Sequence, residues 1–330
     1  MNATDIISYH YPIQFVEVLP LKERKVWLIQ AREGPFILKA LDFPLEESIF
    51  VMAAMNHLKE AGFKKFNEIA AAKNGESLVG DGGKYYFLSR YVPGRPADFR
   101  EMLDIEGSSA TLSALHKAAE GFDPPPFAGR IKWGIWPRMI EGKAADLRRF
   151  GDEVAKKRQK THFDCLFLRH FPYYLEEIDE AATYFQGETY KKLCQTQQKI
   201  GGFCHHDLAY HNFLIAEDGD VGLIDFDYVI ADLRIHDLAN FINKLLKHHN
   251  WDETVALCAL EAYNKTGNIS QDERKILLGM LRFPQDFWQV AFSRYVEESR
   301  EALRLEKKML RWTGERGLRH NALQALEKNL

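Results

Sequence analysis

The pattern of apolar and polar positions in the first third of the chain predicts short strands around one helix. β-rich runs separated by the turn-forming stretches PLKER and EGP favour an antiparallel meander, and they lie at residues 13–19, 25–32 and 35–41. Apolar residues at helical spacing, with Pro44 near the start and Gly62 at the end, predict a helix over 44–63. A hairpin is expected over 77–92, and the break PGRP follows it.

Beyond that break the pattern becomes mainly helical. Helical spacing predicts helices at 102–122, 138–160 and 172–199, and further helices near the C-terminus. One pair of strands, at 213–229, interrupts the helices. We therefore expect an α+β, bilobal architecture with a β-rich lobe over 1–92, a hinge over 93–96 and a larger helical lobe over 97–330.

Composition and charge narrow the possible functions. The 330 residues are 46% hydrophobic and carry a net charge of -3, and the pI is near 6.5. These values argue against binding to nucleic acid through overall basicity. No apolar run approaches membrane-spanning length and no signal peptide is recognisable at the N-terminus, so we expect cytoplasmic synthesis and no membrane partner. The four cysteines form no CxxC pair, which is typical of reduced thiols.

Candidate chemistry is concentrated in the stretch HHDLAYHNFLI, residues 205–215. Asp207 and Asn212 lie just before an apolar strand, where burial begins, although both side chains are costly to bury. Asp225 ends the second strand of the same hairpin, so the turn AEDGDV returns it close to Asp207 and Asn212. Two carboxylates and one carboxamide are hard oxygen donors, which suit Mg²⁺ when phosphate oxygens complete its shell.

The motifs HHDLAYHN, LIDFD and HDLA resemble those of the aminoglycoside phosphotransferase and choline kinase-like family, which is related to the protein kinases. The resemblance implies a protein kinase-like fold that binds ATP and Mg²⁺ and transfers a phosphoryl group to a hydroxyl of an unknown small molecule or protein. It implies that Asp207 is the base and that Asn212 and Asp225 are Mg²⁺ ligands. By the same resemblance, Asp237 braces the catalytic loop and His205 is a scaffold residue.

The resemblance also implies a nucleotide site in the N-terminal lobe. Lys39, on the third strand, matches the lysine that holds the α- and β-phosphates and pairs with a helix glutamate. Glu46 or Glu47 is the candidate partner, and we favour Glu47, although either residue also suits a helix N-terminus through the dipole. The stretch SRYVPGR matches the hinge, where backbone groups of Arg90 and Tyr91 meet the adenine edge.

Two positions depart from the family pattern. The turn VLPLKERKV between the first strands contains no glycine, so a glycine-rich phosphate cover is missing, and Lys22, Arg24 or Lys25 are the candidates to replace it with charge. His206 stands where many family members have glycine.

A narrower resemblance extends over about residues 25–245. The segments GPFILKALD, YVPGRPADF, LSALHKAAEGF, WPRMIEGKAADLRRF and GGFCHHDLAYHNFLI resemble the CotS-type spore coat proteins of endospore-forming bacteria. This resemblance implies a place in the spore coat, with other coat proteins as partners. It also supplies the alternative function, in which a kinase-like scaffold is a non-catalytic structural component of the coat.

Several residues have competing interpretations. Asp207, Asn212 and Asp225 also suit unrelated turns and caps, and Lys39 suits an edge-strand lysine whose ammonium reaches solvent. Asp227 suits either a metal ligand or a solvated turn.

Other residues outside this set have two interpretations as well. Arg95 suits a contact with an anionic substrate or a hinge salt bridge. Trp133 and Trp136 suit packing or substrate stacking. The mixed-charge run at 294–330 suits a solvated helix pair or a docking surface for a coat partner. A zinc site formed by the histidines at 205, 206 and 211 fits no standard spacing.

Overall fold

The computed structural model describes residues 2–127, 129–297 and 301–330. These residues form twelve helices: α1 (Ala3–His10), α2 (Leu45–Glu60), α3 (Met102–Ala118), α4 (Trp136–Ala155), α5 (His162–Phe185), α6 (Glu188–Ile200), α7 (Arg234–His248), α8 (Glu253–Gly267), α9 (Gln271–Arg282), α10 (Gln285–Tyr295), α11 (Ala302–Gly314) and α12 (Arg316–Asn329). The same residues form nine strands: β1 (Phe15–Lys22), β2 (Val26–Ala31), β3 (Gly34–Leu41), β4 (Ile69–Ala70), β5 (Val79–Asp81), β6 (Lys84–Arg90), β7 (Arg95–Pro96), β8 (Phe213–Ile215) and β9 (Val221–Leu223).

The chain divides into two compact units. Unit 1 comprises Met1–Lys132, Gln197–Asp237 and Ala259–Asn268, and it contains all nine strands. Unit 2 comprises Trp133–Thr196, Leu238–Cys258 and Ile269–Leu330, and it is helical. The mixed architecture with an antiparallel N-terminal sheet and a mainly helical remainder confirms the predicted fold class.

The main sheet of unit 1 has the strand order β1-β2-β3-β6-β4, and β5 pairs with β6. Its first three strands form the predicted antiparallel meander, in which Val26 pairs with Lys39. Strand β3 lies inside the sheet, between β2 and β6. Its side chains alternate between the two faces of the sheet, and that alternation places Phe36 and Leu38 in the core.

Helix α1 packs on that core and was not predicted from the sequence. Ile6 and Ile7 of α1 are buried in one cluster with Phe36 and Leu38 of β3 and Leu88 of β6. A capping box closes its start, because Asn2 and Asp5 each accept a hydrogen bond from the other's backbone N–H group. Eight residues give too short an amphipathic pattern to stand out in the sequence.

A second, three-stranded sheet of unit 1 has the order β7-β8-β9. Strands β8 and β9 are the hairpin predicted after the catalytic motif, with Phe213 opposite Leu223. Gly94 precedes β7 with φ of +146°, and a Cβ there would lie 2.8 Å from the Ile215 carbonyl oxygen. The PGRP break is therefore a position where two backbones approach closely, which only glycine permits.

Unit 2 is built around helices α4, α5, α9, α10, α11 and α12. Stacked aromatic rings form much of its core, including Tyr174 against Phe287 with centroids 4.0 Å apart. Trp136 stacks on Phe185 at 5.1 Å, which makes it a packing residue. Helix α5 begins at His162, ten residues before the sequence suggested, and continues through Pro172.

The C-terminal run at 294–330 is helical over α11 and α12, and its residues 298–300 lie outside the described residues. Across the described part of the chain, no helix is long and apolar enough to cross a membrane.

Candidate active site

A cavity of about 360 Å³ opens in unit 1 beside the main sheet. Strand alternation creates it, because Ile37 and Lys39 of β3 face the cavity while their neighbours face the core. Apolar side chains supply most of its wall, namely Leu21, Val26, Ile37, Phe87, Val92, Leu214 and Ile224. Its charged lining includes Lys39 and Asp225, and Arg90 and Tyr91 also line it. The cavity is thus apolar with a charged end, as a pocket for a flat ring carrying an anionic tail requires.

Lys39 lies between two carboxylates. Its Nζ atom is 2.5 Å from Asp225 Oδ1 and 2.8 Å from Asp227 Oδ1. Burial by itself lowers the pKa of Lys39, but the charges of Asp227 and Asp225 outweigh burial, so the pKa lies above its ordinary value. Because β3 is an interior strand, the interpretation of Lys39 as an edge-strand lysine does not hold.

Asp227 is not a solvated turn residue. Its side chain is only 17% exposed and pairs with Lys39. Burial raises the pKa of this carboxyl, and the Lys39 ammonium opposes that rise. The second acid of the DFD stretch therefore pairs with Lys39, a residue that lines the cavity.

Asp207 and Asn212, in the loop before β8, contact each other directly. The Asn212 Nδ2 group donates to the Asp207 carbonyl oxygen at 2.9 Å and to Asp207 Oδ2 at 3.2 Å. Asn212 is 1% exposed and closes a short 3₁₀ turn that starts at Tyr210. Since its Nδ2 group faces Asp207, the amide oxygen is the atom of Asn212 that suits a cation.

Asp225 lies at the same end of the β8–β9 hairpin as Asn212. The Ile224 N–H group donates to the Asn212 carbonyl oxygen at 2.9 Å, which fixes the two segments side by side. Asp225 has φ of +72° and ψ of +61°, a left-handed conformation that is strained for a residue with a side chain. The hairpin thus brings Asp207, Asn212 and Asp225 to one place, as the spacing predicted.

The oxygen donors at this place fit Mg²⁺ only together with a phosphate. Asn212 and Asp225 would offer one amide oxygen and one carboxylate, which is the donor chemistry that Mg²⁺ prefers. In the described part of the chain, no group of three or more His, Cys, Asp or Glu side chains is arranged to hold a metal ion. A cation would therefore need oxygen atoms from a bound phosphate, and the zinc cluster considered for the histidines is not formed.

Asp237, the first acidic residue of α7, braces the loop that carries Asp207. Its carboxylate accepts the N–H groups of His205 at 2.6 Å and His206 at 2.8 Å, and its Oδ2 atom lies 3.1 Å from His116 Nε2. The His116 Nδ1 atom is 2.7 Å from the Tyr263 hydroxyl. Burial by itself raises the pKa of Asp237, but the hydrogen bond and charge of His116 lead a set of contacts that outweigh it and lower the pKa to about 2.

His205 is a buried scaffold residue whose ring is fixed at both nitrogens. Its Nε2–H group donates to the Ile224 carbonyl oxygen at 3.0 Å, and its Nδ1 atom accepts the Asp207 N–H at 3.3 Å. Burial lowers the pKa of His205, which favours this neutral form. Its ring also packs edge-on against Phe226 at 4.6 Å. His205 therefore ties the backbone of Asp207 to Ile224, the residue before Asp225.

His206 adopts φ of +68°. A left-handed conformation favours glycine, the residue that the family resemblance implies at this position. Here the Asp237 carboxylate accepts the N–H groups of His205 and His206. These two hydrogen bonds stabilise the left-handed conformation although His206 carries a side chain.

The structure gives Glu47 a partner other than the one the sequence suggested. Glu47 Oε2 accepts a hydrogen bond from Arg130 Nε at 3.1 Å, whereas the Lys39 ammonium pairs with Asp225 and Asp227. Arg130 is 4% exposed, so its charge needs a partner, and the half-exposed Glu47 in the first turn of α2 provides one. The expected Lys39–Glu47 pair is thus replaced by two separate pairs.

Arg90, the last residue of β6, and Tyr91 line the cavity, but their N–H groups are engaged elsewhere. Arg90 N–H donates to the Glu68 carbonyl at 2.8 Å, and Tyr91 N–H donates to the Pro35 carbonyl at 3.2 Å. Among the backbone groups of these two residues, the carbonyl oxygens are therefore the ones suited to an adenine edge.

Arg95 forms the salt bridge considered for it, with two nitrogen atoms 2.6 and 2.9 Å from Asp104.

The turn between β1 and β2 replaces glycine with exposed charge. Arg24 takes the positive φ of +56° there, and Lys25 forms an ion pair with Asp42 just after β3. Leu21 and Val26, which flank the turn, both line the cavity.

Sequence reasoning missed Arg130 and assigned no role to His116. Arg130 follows an irregular, proline-rich stretch, so no pattern marks it as buried. His116 carried a usable signal, because it is a histidine on an otherwise buried face of α3.

This architecture, with an antiparallel N-terminal sheet and a mainly helical remainder, is that of the protein kinase-like fold. A family model described as "Spore coat putative kinase YutH" matches residues 4–326, so the chain belongs to that family. Spore coat protein S of Bacillus subtilis (strain 168) is 25% identical over 305 residues, which cover 90% of this chain and 85% of that protein.

Solved structures share the fold at low sequence identity. An aminoglycoside phosphotransferase from Alicyclobacillus acidocaldarius has a TM-score of 0.86 and 21% identity, and the match covers 100% of this chain and 96% of that one. Spectinomycin phosphotransferase in complex with ADP and spectinomycin has a TM-score of 0.62 and 12% identity, covering 98% of this chain and 97% of that one. At these identities the likeness shows the fold alone.

We predict that Asp237→Asn destabilises the protein by about 3 kcal/mol, because an amide cannot accept both loop N–H groups and face His116 as a carboxylate does. Urea unfolding at pH 7 measures the change, with the exposed Asp152→Asn as the control. The folded pKa lies below the unfolded value of about 4, so the carboxylate stabilises above that pH and ceases to do so as pH falls toward 2. The difference from wild type should shrink over that range; a difference that grows there contradicts this role for Asp237.

Proposed function

We propose that this protein binds ATP with Mg²⁺ and transfers the γ-phosphoryl group to a hydroxyl of a small molecule or protein. The observation that carries the proposal is the cavity in unit 1, whose charged end is formed by Lys39 and Asp225 beside Asp207 and Asn212. A site of this kind needs little covalent chemistry, because positioning and charge neutralisation supply most of the catalysis of phosphoryl transfer.

Each residue has a role that its contacts support. The apolar wall takes the adenine ring, with the Arg90 and Tyr91 carbonyls at its edge. Lys39 exchanges its carboxylate partners for phosphate oxygens, which frees Asp225 to act with Asn212 as a Mg²⁺ ligand. A bound Mg²⁺ supplies neutralisation of phosphate charge at this place.

Asp207 is the residue that orients and deprotonates the acceptor hydroxyl. Asn212 holds its Oδ2 atom, and His205 and Asp237 fix its backbone, so the carboxylate is preorganised before a substrate arrives. In this proposal residues 1–92 form the nucleotide-binding lobe, residues 93–96 form the hinge, and residues 97–330 carry the catalytic loop.

A second function, a structural coat component without catalysis, is favoured by one feature. The β1–β2 turn lacks the glycines whose N–H groups would cover the phosphates, and that absence points to weaker nucleotide binding. The protein belongs to a spore coat family, so we propose the coat as its location and other coat proteins as its partners.

We predict that ADP or ATP raises the melting temperature of the wild-type protein, by about 5 °C at roughly 100 times the Kd. Lys39→Met should weaken Mg²⁺-free ADP binding about tenfold, because the ammonium that offsets Asp225 and Asp227 is lost while both carboxylates remain to repel phosphate. Lys59→Met is the matched control, since Lys59 pairs with Glu68 outside the cavity lining. A wild-type protein that no adenine nucleotide stabilises, with or without Mg²⁺, contradicts the proposed function.

We predict that Asp207→Asn lowers Mg²⁺-dependent ATP turnover by about 10²–10⁴-fold. Nucleotide affinity should stay within about twofold, because no cavity-lining contact is removed. Slow hydrolysis of ATP and calorimetric titration with ADP measure the two quantities. An equal loss of both would show that Asp207 is needed for binding and is not the base.

The two functions are separated by a strain whose only copy of the gene encodes Asp207→Asn with Asp225→Asn. If phosphoryl transfer is the role, we expect spores of this strain to have a defective coat although the variant protein is present at its normal level. Coat ultrastructure and resistance to lysozyme are the measurements, with the unmodified strain as reference. Spores that are normal in both would support the structural role.

A further inference from the structure

Arg130 joins helix α2 to the segment that follows Asp225. Its Nη1 atom donates to the carbonyl oxygens of Asp227 and Val229, each at 2.9 Å, and its Nε atom donates to Glu47 Oε2 at 3.1 Å. The guanidinium also lies over the Phe43 ring, 4.9 Å from the centroid. A planar group with several fixed donors is suited to hold two carbonyls and a carboxylate at once, and lysine is not.

The carbonyl groups of Asp227 and Val229 lie on either side of Tyr228, the last residue of a tight turn. Asp225 lies at the start of the same turn. Residues Phe226–Tyr228 form this turn, and Asp225 precedes it in the strained left-handed conformation. Anchoring the far end of the turn limits the positions that the Asp225 backbone can adopt. The side chain of Asp227 is held from the opposite direction by Lys39.

We propose that Arg130 is a positioning residue for the Asp225 carboxylate and that Glu47 acts on the metal site through Arg130. The inference rests on the proposed function in that Asp225 is taken as the Mg²⁺ ligand. It assigns Glu47 a role different from pairing with the phosphate-binding lysine. The connection from α2 to the site runs through Arg130 and the Asp225 turn, because Lys39 already has two carboxylate partners.

The two roles for Glu47 predict opposite results in one experiment. Glu47→Gln keeps the shape of the side chain but removes the charge that holds Arg130. If Glu47 acts through Arg130, the variant should need about tenfold more Mg²⁺ for half-saturation at saturating ADP, the effect typical of residues that orient a metal ligand. Its affinity for ADP without Mg²⁺ should be unchanged. The affinity for ADP is measured by calorimetric titration of metal-free protein with ADP. The Mg²⁺ requirement is measured by calorimetric titration of the ADP-saturated protein with Mg²⁺.

Two further variants complete the design. Arg130→Lys keeps the charge but loses the fork of donors, so it should shift the Mg²⁺ requirement in the same direction, and the double variant should be no worse than the more severe single one. Glu46→Gln removes the same charge from the same turn of α2, where the side chain is exposed, and should leave both constants as in wild type. A Glu47→Gln protein that loses Mg²⁺-free ADP affinity, as Lys39→Met does, overturns the inference, and so does one with an unchanged Mg²⁺ requirement.

A second measurement needs no ligand. The amide groups of Val229, Ile230 and Ala231 are hydrogen-bonded to Phe226, Cys204 and Arg130 carbonyls, so their hydrogen exchange reports on the anchored turn. Exchange at residues 226–231 should be several-fold faster in Glu47→Gln and Arg130→Lys, and unchanged in Glu46→Gln. Unchanged exchange in the first two variants overturns the anchoring by Arg130. If wild-type protein binds no nucleotide, the proposed function fails, while this exchange experiment still decides whether Arg130 anchors the turn.

Discussion

The buried carboxylate of Asp237 is the group on which the geometry of the candidate site depends. Two consecutive backbone N–H groups, from His205 and His206, point at it, and His116 supports it from α3. Without the Asp237 carboxylate, the N–H groups of His205 and His206 would lose their acceptor. His206 would also be left in a left-handed conformation with no contact to stabilise it. The carboxylate therefore stabilises a backbone that the local sequence would not adopt alone. Asp207 is presented by that backbone, so the position of the candidate base follows from a contact with α7.

From this brace the constraints pass along a chain of fixed contacts. His205 contacts the Asp207 N–H on one side and the Ile224 carbonyl on the other, which joins the catalytic loop to the hairpin. Asp225 follows Ile224, and Arg130 anchors the turn beyond it. Each link is a buried or part-buried hydrogen bond to backbone, which limits displacement. The result is a preorganised set of side chains in one compact unit.

The sequence predicted the parts of this site that depend on local spacing. The five-residue separation of Asp207 and Asn212 and the hairpin that returns Asp225 are short-range features, and the structure places these residues together. The antiparallel meander was likewise predictable, since turn residues punctuate alternating strands. What escaped prediction depends on long-range contacts. Arg130 lies 83 residues from Glu47 in sequence, and the start of α5 was misplaced because Pro172, which usually ends a helix, lies within it.

The pairing of Lys39 with both Asp225 and Asp227 has a consequence for how ligands enter. One ammonium among two carboxylates leaves this corner of the cavity with an excess of negative charge. A bare triphosphate would meet electrostatic repulsion there, whereas a divalent ion would reverse the local sign. Under the proposed function, a cation and a nucleotide that arrive together as a chelate would meet less repulsion at this corner than a bare triphosphate, because the cation offsets the charge of the two carboxylates.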